Sequence, residues 1–429
     1  MLNLKNAPRG WNSWDCYGAA VTEDTVRKNA EYMAENMKEA GYEYVVVDIQ
    51  WYEPGSVNNE YHPFADVCMD EYGRLMPAEN RFPSAAGGAG FKPLADYVHS
   101  LGLKFGIHIM RGIPRQAVTR NLPVYGTEGI RARDIAKTAS ICAWNTDNYG
   151  VDPTKKGARQ YYDSIFALYA SWDVDFVKCD DICRELPHEE EELVMLSEAL
   201  RGCGRDMVLS LSPGPALLEK SELYKAVSNM WRITDDFWDD WKLLYAMFER
   251  AEKWSIHTGH NHYPDADMLP VGAIRQVYDP DYTTAFTIPE QETMMVLWCI
   301  MRSPLMAGGE LTKNDNNTLA LLTNPGLMEM HACSRHAHQV FRKKIGDNEV
   351  ILWTAMKASD KGGYDGQYVA VFNSDGPDAE IAVDLSELEL TGPVSGEDIM
   401  SRFECNFDKE IKVRIQSHGA RAFCIRSVF

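Results

Sequence analysis

Through the first three quarters of the chain, short apolar runs alternate with longer segments whose apolar residues recur at helical spacing. Residues 42–48, 103–110, 175–180, 207–211 and 230–233 are rich in Val, Ile, Leu and aromatic residues and read as buried strands. Between them, 22–40 reads as a helix closed by Gly41, 91–100 as a second, and 157–171 as a third with Ile165, Leu168 and Tyr169 on one face. Each strand runs into polar residues: Asp48, Arg111, Asp180, the Ser212-Pro-Gly-Pro turn, and Asp235 with Asp236. Short buried strands alternating with helices imply a parallel sheet. Polar strand ends repeated this often favour a (β/α)8 TIM barrel, where chemistry sits at the C-terminal ends of the strands. An open doubly wound sheet would need a phosphate loop at its first turn; Gly87-Gly-Ala-Gly90 follows no strand and lacks that spacing. After about residue 330 the pattern changes. Residues 349–354, 367–373, 380–385 and 421–425 read as short strands separated by Gly- and Asp-rich turns, a small antiparallel β-sandwich. The expected domains are a catalytic barrel over 1–328 and a β-domain over 329–429.

Composition narrows the class. Of 429 residues, 45% are hydrophobic and 25% charged, the profile of a globular protein, and the length suits one barrel plus a smaller domain. A net charge of −20 repels phosphate backbones and anionic lipid, so neither nucleic acid nor a membrane is an expected partner. The first residues show no apolar leader and no run is long enough to span a bilayer, so the expected location is cytoplasmic. The ten cysteines are scattered without framework spacing and read as small buried hydrophobes of a reducing compartment.

Two clusters carry candidate chemistry. In the run 176–181 a strand delivers Lys178, Asp180 and Asp181; Lys178 and Asp180, two apart, share one side of the strand. A lysine beside Asp180 would keep it ionised, as a nucleophile requires. Asp181 is better read as a helix cap. The second cluster is 231–241, with Arg232 able to orient a carboxylate or bind hydroxyls, and Asp235 and Asp236 close enough to push one pKa upward, as a general acid requires. Asp239 and Asp240 read as capping the next helix. Carboxylates from two different strands are what acetal cleavage uses. Trp14 and Trp51 offer faces for sugar rings, with core packing the alternative. His257, His260 and His262 would be the ligands of a competing metal-dependent barrel hydrolase, although their spacing matches no standard zinc pattern.

With these residues in place the chain resembles glycoside hydrolase family 27, the melibiase family of α-galactosidases and α-N-acetylgalactosaminidases. The resemblance rests on Gly10-Trp-Asn-Ser-Trp14, Asp48-Ile-Gln-Trp51, Lys178-Cys-Asp180, Arg232 with Asp236 four residues on, Asp265-Ala-Asp267 and Ser303-Pro-Leu-Met306. It implies a retaining exo-hydrolase of α-D-galactose-type residues with no metal or other cofactor and a carbohydrate as its partner. Asp180 would be the nucleophile and Asp236 the acid/base, with Trp14, Asp48, Lys178, Arg232 and Asp267 on the sugar. His108 stands where the family has a tyrosine, and Ser212 opens the turn after the fifth strand. Two departures bear on the sugar: Ile49 replaces a second aspartate, and Pro213 and Ala216 occupy the region facing the 2-hydroxyl; Ile182 replaces a family cysteine, which implies that the family's disulfide there is absent. α-Galactose, N-acetylgalactosamine and β-L-arabinopyranose all remain open.

Overall fold

A computed structural model of the protein describes residues 2–58, 60–184 and 186–428, the side chains of 186–188 excepted. Eight parallel strands form one sheet: Arg9–Asn12, Tyr44–Val47, Lys104–Met110, Phe176–Asp180, Val208–Leu211, Met230–Arg232, Tyr263–Asp265 and Leu305–Ala307. Each pairs with its neighbours in chain order, and the eighth pairs with the first through Arg9–Leu305 and Gly10–Met306. A parallel bridge between Leu269, just past the seventh strand, and Ala307 joins the remaining edges. The (β/α)8 barrel is therefore closed.

Alternation along these strands sorts their side chains. Tyr44, Val46, Phe176, Val208, Met230, Tyr263 and Met306 fill the barrel interior over the N-terminal Leu4 and Ala7, while Val45, Val47, Phe105, Ile107, Val177 and Leu209 face the helices. The same parity carries Asp48, Lys178, Asp180 and Arg232 to the interior at the C-terminal ends.

Local chemistry fixes the helices. Thr22 caps Glu23–Asn36 through the Thr25 amide, and Gly41, at φ 87°, ends the following turn Lys38–Ala40 in the left-handed region. Lys92–Ser100 and Ala158–Ser171 fall where the periodicity puts them. Between the third strand and Ala158–Ser171 the chain makes an excursion that the pattern did not suggest. Ile113–Pro114, Asn148–Val151 and Ala136–Ile141 form a small antiparallel sheet above the barrel.

The helix Pro325–Cys333 runs across 328/329, and antiparallel structure starts at Ser334. Six strands pair in the order Ser334–Ile345, Asn348–Ala358, Tyr364–Asp375, Ala420–Ser427, Val394–Asp398 and Glu404–Phe407; Ala379–Asp384 and Glu410–Ile415 form a second, two-stranded sheet. Val350, Leu352, Val369, Val371 and Phe423 face that second sheet and enclose a separate core with Ile381, Val383 and Ile411. The opposite face, with Ile351, Trp353, Tyr368 and Phe372, joins the core of the barrel. Helix Ile288–Met301, buried from Met294 through Met301, lies between the two bodies, which explains why it is apolar on every side. Among the described residues no helix is long and apolar enough to cross a membrane.

Candidate active site

At the C-terminal mouth of the barrel, one cavity of about 270 Å³ is lined by Trp14, Asp48, His108, Lys178, Asp180, Ser212, Arg232, Asp236 and Asp267 together. Both proposed catalytic carboxylates and all seven substrate-binding residues implied by the resemblance are in that set.

The floor is built from the second, third and fourth strands. Asp48 is 1% exposed; its Oδ2 accepts from Asn12 Nδ2 at 2.8 Å and Lys178 Nζ at 2.9 Å, and its Oδ1 contacts His108 Nδ1 and the Ile49 amide, each at 2.8 Å. Burial opposes ionisation of Asp48, but the facing His108 and Lys178 and these hydrogen bonds outweigh it and hold the carboxyl well below its ordinary range. An ionised Asp48 in turn keeps the His108 proton on Nδ1. Lys178 is likewise opposed by burial, yet Asp48 and then Asp180 hold its ammonium above its usual pKa. The expected direct pairing of Lys178 with Asp180 is thus corrected: the ammonium reaches across to Asp48 on the second strand. Asp180 is 8% exposed, with Oδ2 at 3.7 Å from His108 Nε2 and Oδ1 without a hydrogen-bond partner. The Asp180 side chain lines the cavity, and no hydrogen bond ties either of its oxygens to the lining.

Asp180 is held from behind. The Arg111 amide bonds the Asp180 carbonyl at 3.2 Å, Arg111 Nε bonds the Asp181 carbonyl at 2.6 Å, and its guanidinium pairs with Asp181 at 2.9 Å and Glu192 at 3.3 Å. Asp181 joins this buried ion network at φ 60°, and the expected capping of the next helix lies outside the described residues. Burial pushes Glu192 up to about 7 against the pull of Arg111.

The other wall is built around Arg232, whose Nη1 meets Asp267 Oδ1 at 2.7 Å and whose Nη2 donates to Asp236 Oδ1 at 3.1 Å. Burial opposes its charge, but Asp267 and Asp236 raise its pKa. Asp267 is pushed up to about 7 by burial, with Arg232 opposing and Asp236 and Asp265 reinforcing the shift. Asp235 pairs with Arg184 at 2.8 Å and accepts from the Asp236 amide at 3.0 Å. The Asp236 side chain is 56% exposed, at the cavity mouth. Asp240 caps Trp241–Ser255 as expected, but Asp239 does not; it is buried against Arg275, Tyr282 and the Ala285 amide.

Aromatic rings wall the mouth. Trp14 stacks on Tyr61 with centroids 6.0 Å apart, and Trp144, Phe237 and Trp238 add further faces. Trp51 takes the core alternative: it is fully buried and donates to the His108 carbonyl at 2.7 Å. Ile49 is also fully buried, packed with Met110 and Cys142 beneath Trp14, Tyr61 and Trp144. Ser212 Oγ is buried without a partner and Pro213 lines the cavity, whereas Ala216 lies outside it. The sequence reading missed Asp15, Tyr61, Trp144, Arg184 and Trp238. Asp15 directly follows the Trp14 motif and could have been taken with it; the others sit on loops without periodicity.

His257, His260 and His262 do not converge into a ligand set. Among the described residues, the only group of three possible ligands is Asp96, His99 and Asp173. Those residues already serve Lys92, Asp175 and Arg205 as ion-pair partners.

A family model described as Alpha galactosidase A matches residues 12–118 and 147–331. The structure is similar to that of a GH27 β-L-arabinopyranosidase from Geobacillus stearothermophilus, with 52% identity, a TM-score of 0.94 and coverage of 99% of this chain and 97% of that one. It is similar to a putative α-N-acetylgalactosaminidase from Bacillus halodurans, with 51% identity, a TM-score of 0.86 and coverage of 99% and 98%. In sequence it is 26% identical to an alpha-galactosidase of Cyamopsis tetragonoloba over 97% of this chain and 85% of the relative.

Proposed function

The chain belongs to the melibiase family of glycoside hydrolases, and on that premise we propose that Asp180 and Asp236 perform a retaining double displacement on terminal galactose-type residues. The observation that carries this reading is the convergence of the two carboxylates, from the fourth and sixth strands, on one cavity with a buried floor. An Asp180 oxygen attacks the anomeric carbon. The glycosidic bond breaks, its electron pair passes to the leaving oxygen, and Asp236 supplies that oxygen's proton. Water then gives its proton to Asp236 and its oxygen to the anomeric carbon, releasing Asp180. Asp48, Lys178 and Arg232 hold the hydroxyls, and Trp14 meets the ring's apolar face. A cavity closed below by Asp48, His108 and Lys178 admits one terminal residue, consistent with exo action.

Within that class, a specific feature favours β-L-arabinopyranose, the galactose-configured ring without a hydroxymethyl group. Where a second aspartate would bind a hydroxyl, Ile49 lies buried with Met110 and Cys142 behind Trp14, Tyr61 and Trp144, so no carboxylate meets the sugar from that position. The test is kcat/KM for 4-nitrophenyl α-D-galactopyranoside, β-L-arabinopyranoside and α-N-acetylgalactosaminide. Cleavage of none of them would sink the whole reading; a galactoside preferred over the arabinopyranoside would sink the narrower one. Ten free thiols support a reducing, cytoplasmic setting, checked by unchanged thermal stability in excess dithiothreitol.

A further inference from the structure

Residues 119–146 fall between the two stretches that match the family model, so what they bring to the cavity is not set by the family frame. They hold the strand Ala136–Ile141 of the small upper sheet, and after it Cys142 and Trp144. Cys142 is buried beside Ile49 and Met110, and Trp144 packs over that cluster together with Trp14 and Tyr61. Those three rings line the catalytic cavity, whereas Ile49, Met110 and Cys142 do not. At the position of the missing second aspartate, the cavity therefore meets aromatic rings.

The segment is pinned on both sides of Trp144. Before it, the Ser140 hydroxyl donates to Glu189 Oε1 at 2.6 Å, and Lys137 pairs with Glu189 Oε2 at 3.2 Å. After it, Asp147 Oδ2 accepts from the Tyr52 hydroxyl at 2.7 Å and from Gln50 Nε2 at 3.1 Å. Thr146 Oγ1 accepts from the Phe64 amide at 2.7 Å. The Arg184 guanidinium lies 4.9 Å over the Trp144 ring and is itself tied to Asp235. A ring held along the chain on both sides and across its face is a fixed wall. A fixed wall rejects a substituent that a mobile one would accommodate.

We propose that Trp144 is a specificity-determining residue: its ring, beside Tyr61, takes the space that a hydroxymethyl group on the bound pyranose would need, and so selects the ring that lacks one. The proposal rests on the reading of the cavity as the site of a galactose-configured terminal residue. An aromatic face suits the C5 methylene of an arabinopyranose. A primary hydroxyl set against the same face loses its water without gaining a partner.

The test uses 4-nitrophenyl α-D-galactopyranoside and β-L-arabinopyranoside, which share a leaving group and differ only in the substituent at C5. Their kcat/KM values are compared in wild type, Trp144→Ala and Trp144→Leu. Trp144→Ala is expected to raise the galactoside-to-arabinopyranoside ratio about tenfold. Trp144→Leu keeps an apolar side chain over Ile49 and should raise the ratio by a smaller factor, which keeps the test open if the alanine variant fails to fold. A merely structural Trp144 would lower both donors alike; an unchanged ratio in the folded variants would overturn the proposal. Cleavage of neither donor by wild type would instead overturn the proposed function.

Discussion

The two sides of the cavity are built on opposite principles. The side bearing Asp180 is dry: Asp48, just past the second strand, and His108 and Lys178, within the third and fourth, are locked by hydrogen bonds and ion pairs, and Arg111 braces the strand end from behind. The side bearing Asp236 is wet: its carboxylate is 56% exposed on a loop, tethered by one contact to Arg232. Each arrangement matches a step. A nucleophile must stay fixed and need not exchange protons with water. An acid/base must lose a proton and regain one from water in every turnover, so exposure serves it.

Four experiments test this contrast, the largest expected effect first. Asp180→Ala removes the attacking atom and should lower kcat on a nitrophenyl glycoside by roughly 10⁴-fold or more, while circular dichroism and melting temperature stay near wild type. Asp236→Ala should cost about 10²–10⁴-fold on leaving groups that need a proton, and far less on a glycosyl fluoride. Equal losses on both donors would contradict its role as the acid. Lys178→Met should lower stability by about 3–5 kcal/mol, because it removes the ammonium that pairs with the buried Asp48 carboxylate; chemical denaturation reads this directly. An unchanged midpoint would show that the floor does not depend on that pair.

The smallest effect concerns the brace. Glu192, pushed up to about 7 by burial from an ordinary 4.5, keeps a proton in the native state that the unfolded chain gives up. Its contribution to stability is therefore lost as pH rises from about 4.5 through 7. Relative to Glu192→Gln, which cannot titrate, wild type should match at pH 4.5 and fall behind by up to about 3 kcal/mol above pH 7. A difference independent of pH would mean that Glu192 is ionised throughout.

The dry side was the legible one. Strand periodicity placed Asp48, Lys178 and Asp180 at strand ends, and parity placed Lys178 and Asp180 on one side, because a buried parallel strand leaves few alternatives in its pattern. Which carboxylate Lys178 would choose was not legible, since that depends on the distance between strands. The wet side was legible only at Arg232, Asp236 and Asp267. Tyr61, Trp144 and Arg184 arrive on irregular segments, where one aromatic or basic residue looks like any other surface position. The long strand Ser334–Ile345 escaped for a related reason: it is an edge strand carrying Arg335, His336, His338, Arg342, Lys343 and Lys344, so it lacks the apolar alternation of a central one.

Helix Ile288–Met301 sets how far this protein can be taken apart. Because it is greasy toward both the barrel and the six-stranded sheet, neither body has a finished outer surface without the other. Phe248 of the barrel meets Phe372 of the sheet edge to face with centroids 4.9 Å apart, and Trp241 stacks on His418 at 3.9 Å. The C-terminal sheets are thus half of the barrel's insulation: a gene shortened after residue 333 would encode a cylinder with an adhesive flank, prone to clump before it ever met a sugar.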